Sequence, residues 1–134
     1  MIEQGLVKLV QADATVQSLV NFRGGRGTAL PKDAELPSWC YTVIAHDPQV
    51  TLDEVPLQSM MVQIEAYGKE LADAIPVAHA IERLLNNFRG TLEDEDSTYV
   101  SITTQVGKVD FQNPESRNHC RAVTYTFHFS AQES

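Results

Sequence analysis

The groups best suited to chemistry in this 134-residue chain are four histidines, two cysteines and a run of acids. A zinc site needs three or four nitrogen, sulfur or carboxylate ligands at close spacing. His46, His79, His119 and His128 show no such spacing: His46 falls on a predicted strand, His79 on a predicted helix, and His119 and His128 nine residues apart on the last predicted strand. Cys40 and Cys120 stand too far apart in sequence for a zinc ribbon or a disulfide scaffold, so they read as two buried, reduced thiols in a cytoplasmic setting. Glu93, Asp94, Glu95 and Asp96 lack the alternating ligands and turn glycine of a calcium loop and read as a solvated loop. The segment Arg23-Gly24-Gly25-Arg26-Gly27 is glycine-rich, but it follows a helical stretch and lacks the lysine-serine/threonine ending of a phosphate loop. No serine lies in a nucleophile-elbow pattern, and Cys40 sits in an apolar run, where a thiol is normally inert. His46, Cys40 and His128 are the one set that a small ligand-binding or catalytic α+β domain could use. No catalytic residue, metal or cofactor is assigned, and the expectation is a protein that is not an enzyme.

Composition sets the class. Lys plus Arg number 10 and Asp plus Glu 18, a net charge of -8, with 43% hydrophobic residues. Such a balance supports an ordinary core in a single domain spanning residues 1–134. It argues against tight binding to nucleic acid or an anionic membrane, each of which calls for a basic face. The first ten residues carry Glu3 and no continuous apolar core, unlike a signal peptide. No run approaches the ~18 apolar residues of a membrane span.

Hydrophobic periodicity places the elements that must position these groups. Ile2, Leu6, Leu9 and Val10 predict a helix over residues 2–12, and Asp13 caps a short continuation with Val16, Leu19 and Val20 inward. Glycines and prolines make residues 21–38 a long loop. Residues 39–46 predict a strand, and so do residues 57–67, with Met60, Val62, Ile64 and Ala66 on one face and Gln63 and Glu65 on the other. A helix follows over residues 74–87; Asp73 as its N-cap would leave Pro76 harmless in the first turn, and Gly90 helps to stop it. Residues 99–106 predict a strand with Val100, Ile102 and Val106 on one side, then residues 107–118 a turn-rich connection, then residues 119–130 the clearest strand. The predicted fold is α+β: a four-stranded antiparallel sheet with two helices packed on one face, in the order α-β-β-α-β-β.

Several phrases in this order resemble the tail-completion or tail-terminator family of long-tailed bacteriophages and prophages, which includes the terminator of phage lambda. They are GLVKLVQADATVQSLV (residues 5–20), Leu36-Pro37 before a strand with Tyr41, MVQIEAY (61–67), NFRGTL (87–92) and TYTFHF (124–129). The chain departs from that pattern between Tyr67 and Ile81, where the helical region is longer and holds Pro76. The resemblance implies a ring of copies of the chain, commonly six, at the head-proximal end of the virion tail. Such a ring is assembled in the host cytoplasm, caps the tail tube, stops its polymerisation and presents the surface that joins the head. Its partners would be the tail tube protein and a head-tail connector protein, with DNA passing through unbound and no membrane involved. A head-tail connector of the same neck region is the alternative. The two loops supply the candidate contact residues: Arg23 and Arg26 in the first, and Asp110, Phe111, Gln112, Glu115 and Arg117 in the second.

Overall fold

Residues 2–20, 24–26, 36–49, 57–93, 98–112, 114 and 117–130 are described by the structure, a computed structural model. In α1 (Ile2–Ala12), Ile2, Leu6 and Val10 recur every four residues and are buried, so one stripe of the helix faces the core. The helix breaks at Asp13, whose Oδ1 accepts the Val16 N–H at 2.9 Å. That cap starts a separate helix, α2 (Ala14–Val20), with Val16 and Val20 buried.

The third helix, α3 (Leu71–Leu85), buries Ala74, Val77, Ala78, Ala80, Ile81 and Leu85. It begins three residues before the sequence-based start, with Glu70 and not Asp73 at the N-cap. Asp73 instead reaches back, its Oδ2 accepting the Glu70 N–H at 3.3 Å. Pro76 therefore lies past the first turn and forfeits a hydrogen bond to the Ala72 carbonyl. The apolar stripe on either side of it keeps the helix in place. Gly68 allows the early start, because a Cβ there would lie 2.8 Å from the Ala74 nitrogen and 2.9 Å from the Glu70 oxygen.

Among the described residues, six strands form one sheet: β1 (Gly24–Arg26), β2 (Ser38–Gln49), β3 (Leu57–Gly68), β4 (Gly90–Thr91), β5 (Tyr99–Gln112) and β6 (His119–Ser130), in the order β1-β2-β3-β6-β5-β4. β1 runs parallel to β2, with Gly24 opposite Trp39, and the other pairings are antiparallel. Six strands and three helices correct the expected four-stranded sheet with two helices. The two added strands are three and two residues long, too short to carry an alternating pattern. The added helix comes from the break at Asp13. β1 also places part of the expected loop over residues 21–38 in the sheet.

A second correction concerns residues 107–118. β5 continues to Gln112, which pairs with His119, so the first half of the expected turn is strand. Its periodicity is hidden because the register shifts between Val100 and Ile102, and again between Gln105 and Gly107. The first shift sends Val100, opposite Phe129, and Ile102, opposite His128, to different faces. Val100 and Ile102 therefore do not share a side as their spacing suggested.

The helices cover one face of the sheet. Trp39, Tyr41, Met60, Val62, Ile64, Val100, Val123, Tyr125, Phe127 and Phe129 are buried there with the helical stripes in one cluster. Trp39 and Tyr41 stack at 6.2 Å, and the Tyr41 hydroxyl donates to Glu3 of α1 at 3.2 Å.

Gly5 tests this packing. A Cβ on it would lie 2.5 Å from the Leu92 Cβ, so α1 reaches the segment after β4 only because that atom is missing. Helix propensity alone would make Gly5→Ala stabilising by about 1 kcal/mol. The overlap should reverse the sign and leave a net loss of about 1–3 kcal/mol, read from urea unfolding. A variant more stable than the parent would rule out this close approach.

Candidate functional site

The set His46, Cys40 and His128 is not assembled. Cys40 pairs with Glu65 on the face away from the helices, which we call the open face. Between Val43 and Ala45 the β2 register shifts, and this change of phase turns His46 to the helix side. There its Nε2 lies 2.7 Å from Gln58 Oε1, and its ring stacks on Phe129 at 5.9 Å. His128 is exposed on the open face, opposite Ser59. His79 is exposed on α3, and His119 is half-buried at the start of β6. Among the described residues, no group of three His, Cys, Asp or Glu side chains could hold a metal ion. The acids Asp94, Glu95 and Asp96 lie outside them.

Two depressions bear on a ligand-binding reading. One, between α1 and the segment after β4, has about 150 Å³ and is lined by Gly5, Lys8, Leu9, Ala12, Thr91, Leu92 and Glu93. The other, beside α2 and α3 at Asp13, Thr15, Ala80, Arg83 and Leu84, has about 260 Å³. Both fall short of the roughly 300–1,000 Å³ of an ordinary small-molecule site.

At one end of the open face, Cys40, Tyr67, Cys120 and Ala122 are buried together beneath Leu36. Glu65 is half-buried beside them. Its Oε2 accepts the Tyr67 hydroxyl and, at 3.7 Å, the Cys40 thiol. Burial, reinforced by the Glu65 charge, pushes the Cys40 thiol from 9.0 up to about 12. Burial likewise drives Cys120 and Tyr67 upward. A nucleophilic cysteine needs a lowered pKa, so this arrangement suppresses thiol chemistry. Sequence carried one sign of it: Glu65 and Tyr67 stand two residues apart, hence on one strand face.

The candidate contact residues meet different fates. Arg23 and Glu115 lie outside the described residues. Arg26 ends β1. Asp110, opposite Arg121 in the β5–β6 ladder, accepts its Nε at 2.7 Å and Nη2 at 2.9 Å, and this bond holds the Asp110 carboxyl below its usual range. Gln112 Nε2 donates to the Arg117 carbonyl at 3.0 Å, and Arg117 takes a left-handed φ of 62° in the turn. Both Asp110 and Gln112 are thus engaged within the chain. Phe111 is 38% exposed on the open face; Val106, expected at the end of a strand, and Val109, expected in the turn, are 57% and 54% exposed.

The suppressed thiols make a prediction. At pH 8, raising a thiol pKa from 9.0 to about 12 leaves roughly a thousandfold less thiolate. Disulfide reagents should therefore label the folded protein far more slowly than the urea-unfolded chain. The folded state holds these protons more tightly than the unfolded state, so their stabilising effect is complete below pH 9 and is lost as pH rises towards 12. Cys40→Ala should flatten that alkaline decline in the urea midpoint. Equal labelling rates for folded and unfolded protein would exclude the buried cluster.

No known family profile matches the chain, and no curated protein matches it by sequence. Among solved structures it is similar to a chain in the virion of native gene transfer agent (GTA) particle. The TM-score is 0.73 at 12% identity, over 96% of this chain and 94% of that one. Likeness at that identity is a likeness of fold, and here it extends across essentially the whole of both chains.

Proposed function

We propose that this chain is a structural protein of a phage-like virion and serves there as a tail terminator. The observation that carries the reading is the end-to-end match in fold to a component of a gene transfer agent virion. The resemblance of several sequence phrases to those of tail terminators supports the narrower assignment.

The mechanism is associative and needs no reacting side chain. Identical subunits meet through two different surfaces, and such contacts close into a ring when the rotation between neighbours closes. One side of the ring seats on the last ring of tail tube protein. The other side differs from the tube, so growth stops there and a head-tail connector can dock. The net charge of -8 per subunit suits a channel through which DNA passes, because it repels phosphates instead of holding them. The protein would act at the head-proximal end of the tail after assembly in the host cytoplasm.

Tube length is the direct test. Tail tube protein polymerised in vitro should give short tubes, capped at one end, when this chain is present in small amounts, and long uncapped tubes without it. Negative-stain imaging measures both. Unchanged tube lengths, with the chain bound instead to the head connector, would replace the terminator with the connector reading. No effect on tubes and no binding to either partner would overturn both.

A further inference from the structure

β5 carries a free edge. Its outer side is bordered by β4 only at Tyr99 and Val100, and the Asn87 N–H donates to the Thr103 carbonyl at 3.1 Å. Beyond Thr103, no strand among the described residues borders β5 on that side, and residues 104–112 are exposed except for half-buried Gln105. Soluble proteins usually protect a long edge with charges that repel an incoming strand. The charges on this one are drawn inward. Lys108 reaches Glu82 of α3 at 3.3 Å, and Asp110 holds Arg121. Val106, Val109 and Phe111 remain outward, alternating with them.

Among the described residues, the sheet has a second free edge on its opposite side. β1 borders β2 only from Trp39 to Tyr41. Further along β2, Ile44 is 51% exposed, and Ala45 and His46 are exposed beside it. Three successive antiparallel pairings, β2 with β3, β3 with β6, and β6 with β5, make β2 and β5 run in opposite directions. Two copies placed side by side in the same orientation therefore bring β5 of one against β2 of the next as an antiparallel pair, and the sheet continues from subunit to subunit. A β5-to-β5 pairing about a two-fold axis would close a dimer and leave both β2 edges bare.

We propose that copies of this chain join head to tail by strand addition, residues 104–112 of one subunit pairing with residues 43–49 of its neighbour. Main-chain hydrogen bonds supply the contact, and Val106, Val109 and Ile44 exclude water from it. The proposal rests on the ring reading above and names the surfaces that build the ring.

Charges placed on the two edges separate the possibilities. Ile44→Lys and Val109→Lys alter side chains more than half exposed, so each variant should keep its fold by circular dichroism. Each alone should raise the concentration needed for assembly, with tail tubes present, by at least about tenfold. Mixed together, they should form a one-to-one heterodimer through the single intact β5–β2 pairing and stop there. Hydrogen exchange at residues 104–112 should slow on assembly of the unaltered chain, a readout independent of any substitution. Rings formed normally by both variants, or by the unaltered chain without protection of residues 104–112, would overturn the strand pairing while leaving the ring reading intact. An Ile44→Lys variant that dimerises by itself while Val109→Lys does not would replace it with β5-to-β5 pairing. An unaltered chain that stays monomeric at every concentration, even with tail tubes, would overturn both.

Discussion

The pairing of β3 with β6 runs from Gln58 opposite Phe129 to Gly68 opposite His119 without a shift in register. Side chains alternate across a strand, so a slip of one residue would exchange the two faces of both strands. Met60, Val62 and Ile64 on β3 and Val123, Tyr125 and Phe127 on β6 must all face the helices for the core to exist. The cluster of Glu65, Tyr67 and Cys120 on the open face follows from the same register. So does the direction of every outer strand, since β2 and β5 pair onto this central ladder.

Irregularities lie on the outer strands, where they can be tolerated. β2 shifts register between Val43 and Ala45, and β5 shifts twice. Each shift changes which residues face the helices. The shift in β2 separates His46 from Cys40; the first shift in β5 separates Ile102 from Val100. A bulge also strengthens local twist and bends its strand. Bulged outer strands around a regular central pair give a sheet whose core is well defined and whose margins are irregular and exposed.

Several polar groups among the described residues are paired within the chain. Asp110 and Arg121, Lys108 and Glu82, and Glu65 with Tyr67 and Cys40 all satisfy one another within the chain. Ion pairs as exposed as Lys108–Glu82 add little stability; their consequence here is positional, because they turn charge away from the β5 edge. A chain arranged in this way has shape and apolar margins to offer a neighbour.

Much of this was legible in the residues themselves. The stripes in α1 and α3 and the alternation in β3 and β6 locate those elements, because helical and extended periods differ and long segments repeat them several times. The sequence also showed Asp13 to be a capping residue, and two cysteines too distant for a scaffold. It did not show β1 or β4, which are too short to have a period and exist only because longer strands offer them an edge. It placed the start of α3 too late, because the approach of Gly68 to the following turn is a contact in space. It took the second half of β5 for a turn: two bulges broke its alternation, and the hydrogen bonds that make it a strand come from β6. The thiol cluster and the free edges likewise depend on which strands are neighbours. Periodicity along the chain determines what each segment can become; adjacency across the sheet, set by hydrogen bonds between residues far apart in sequence, decides which surfaces are buried and which are left to meet another molecule.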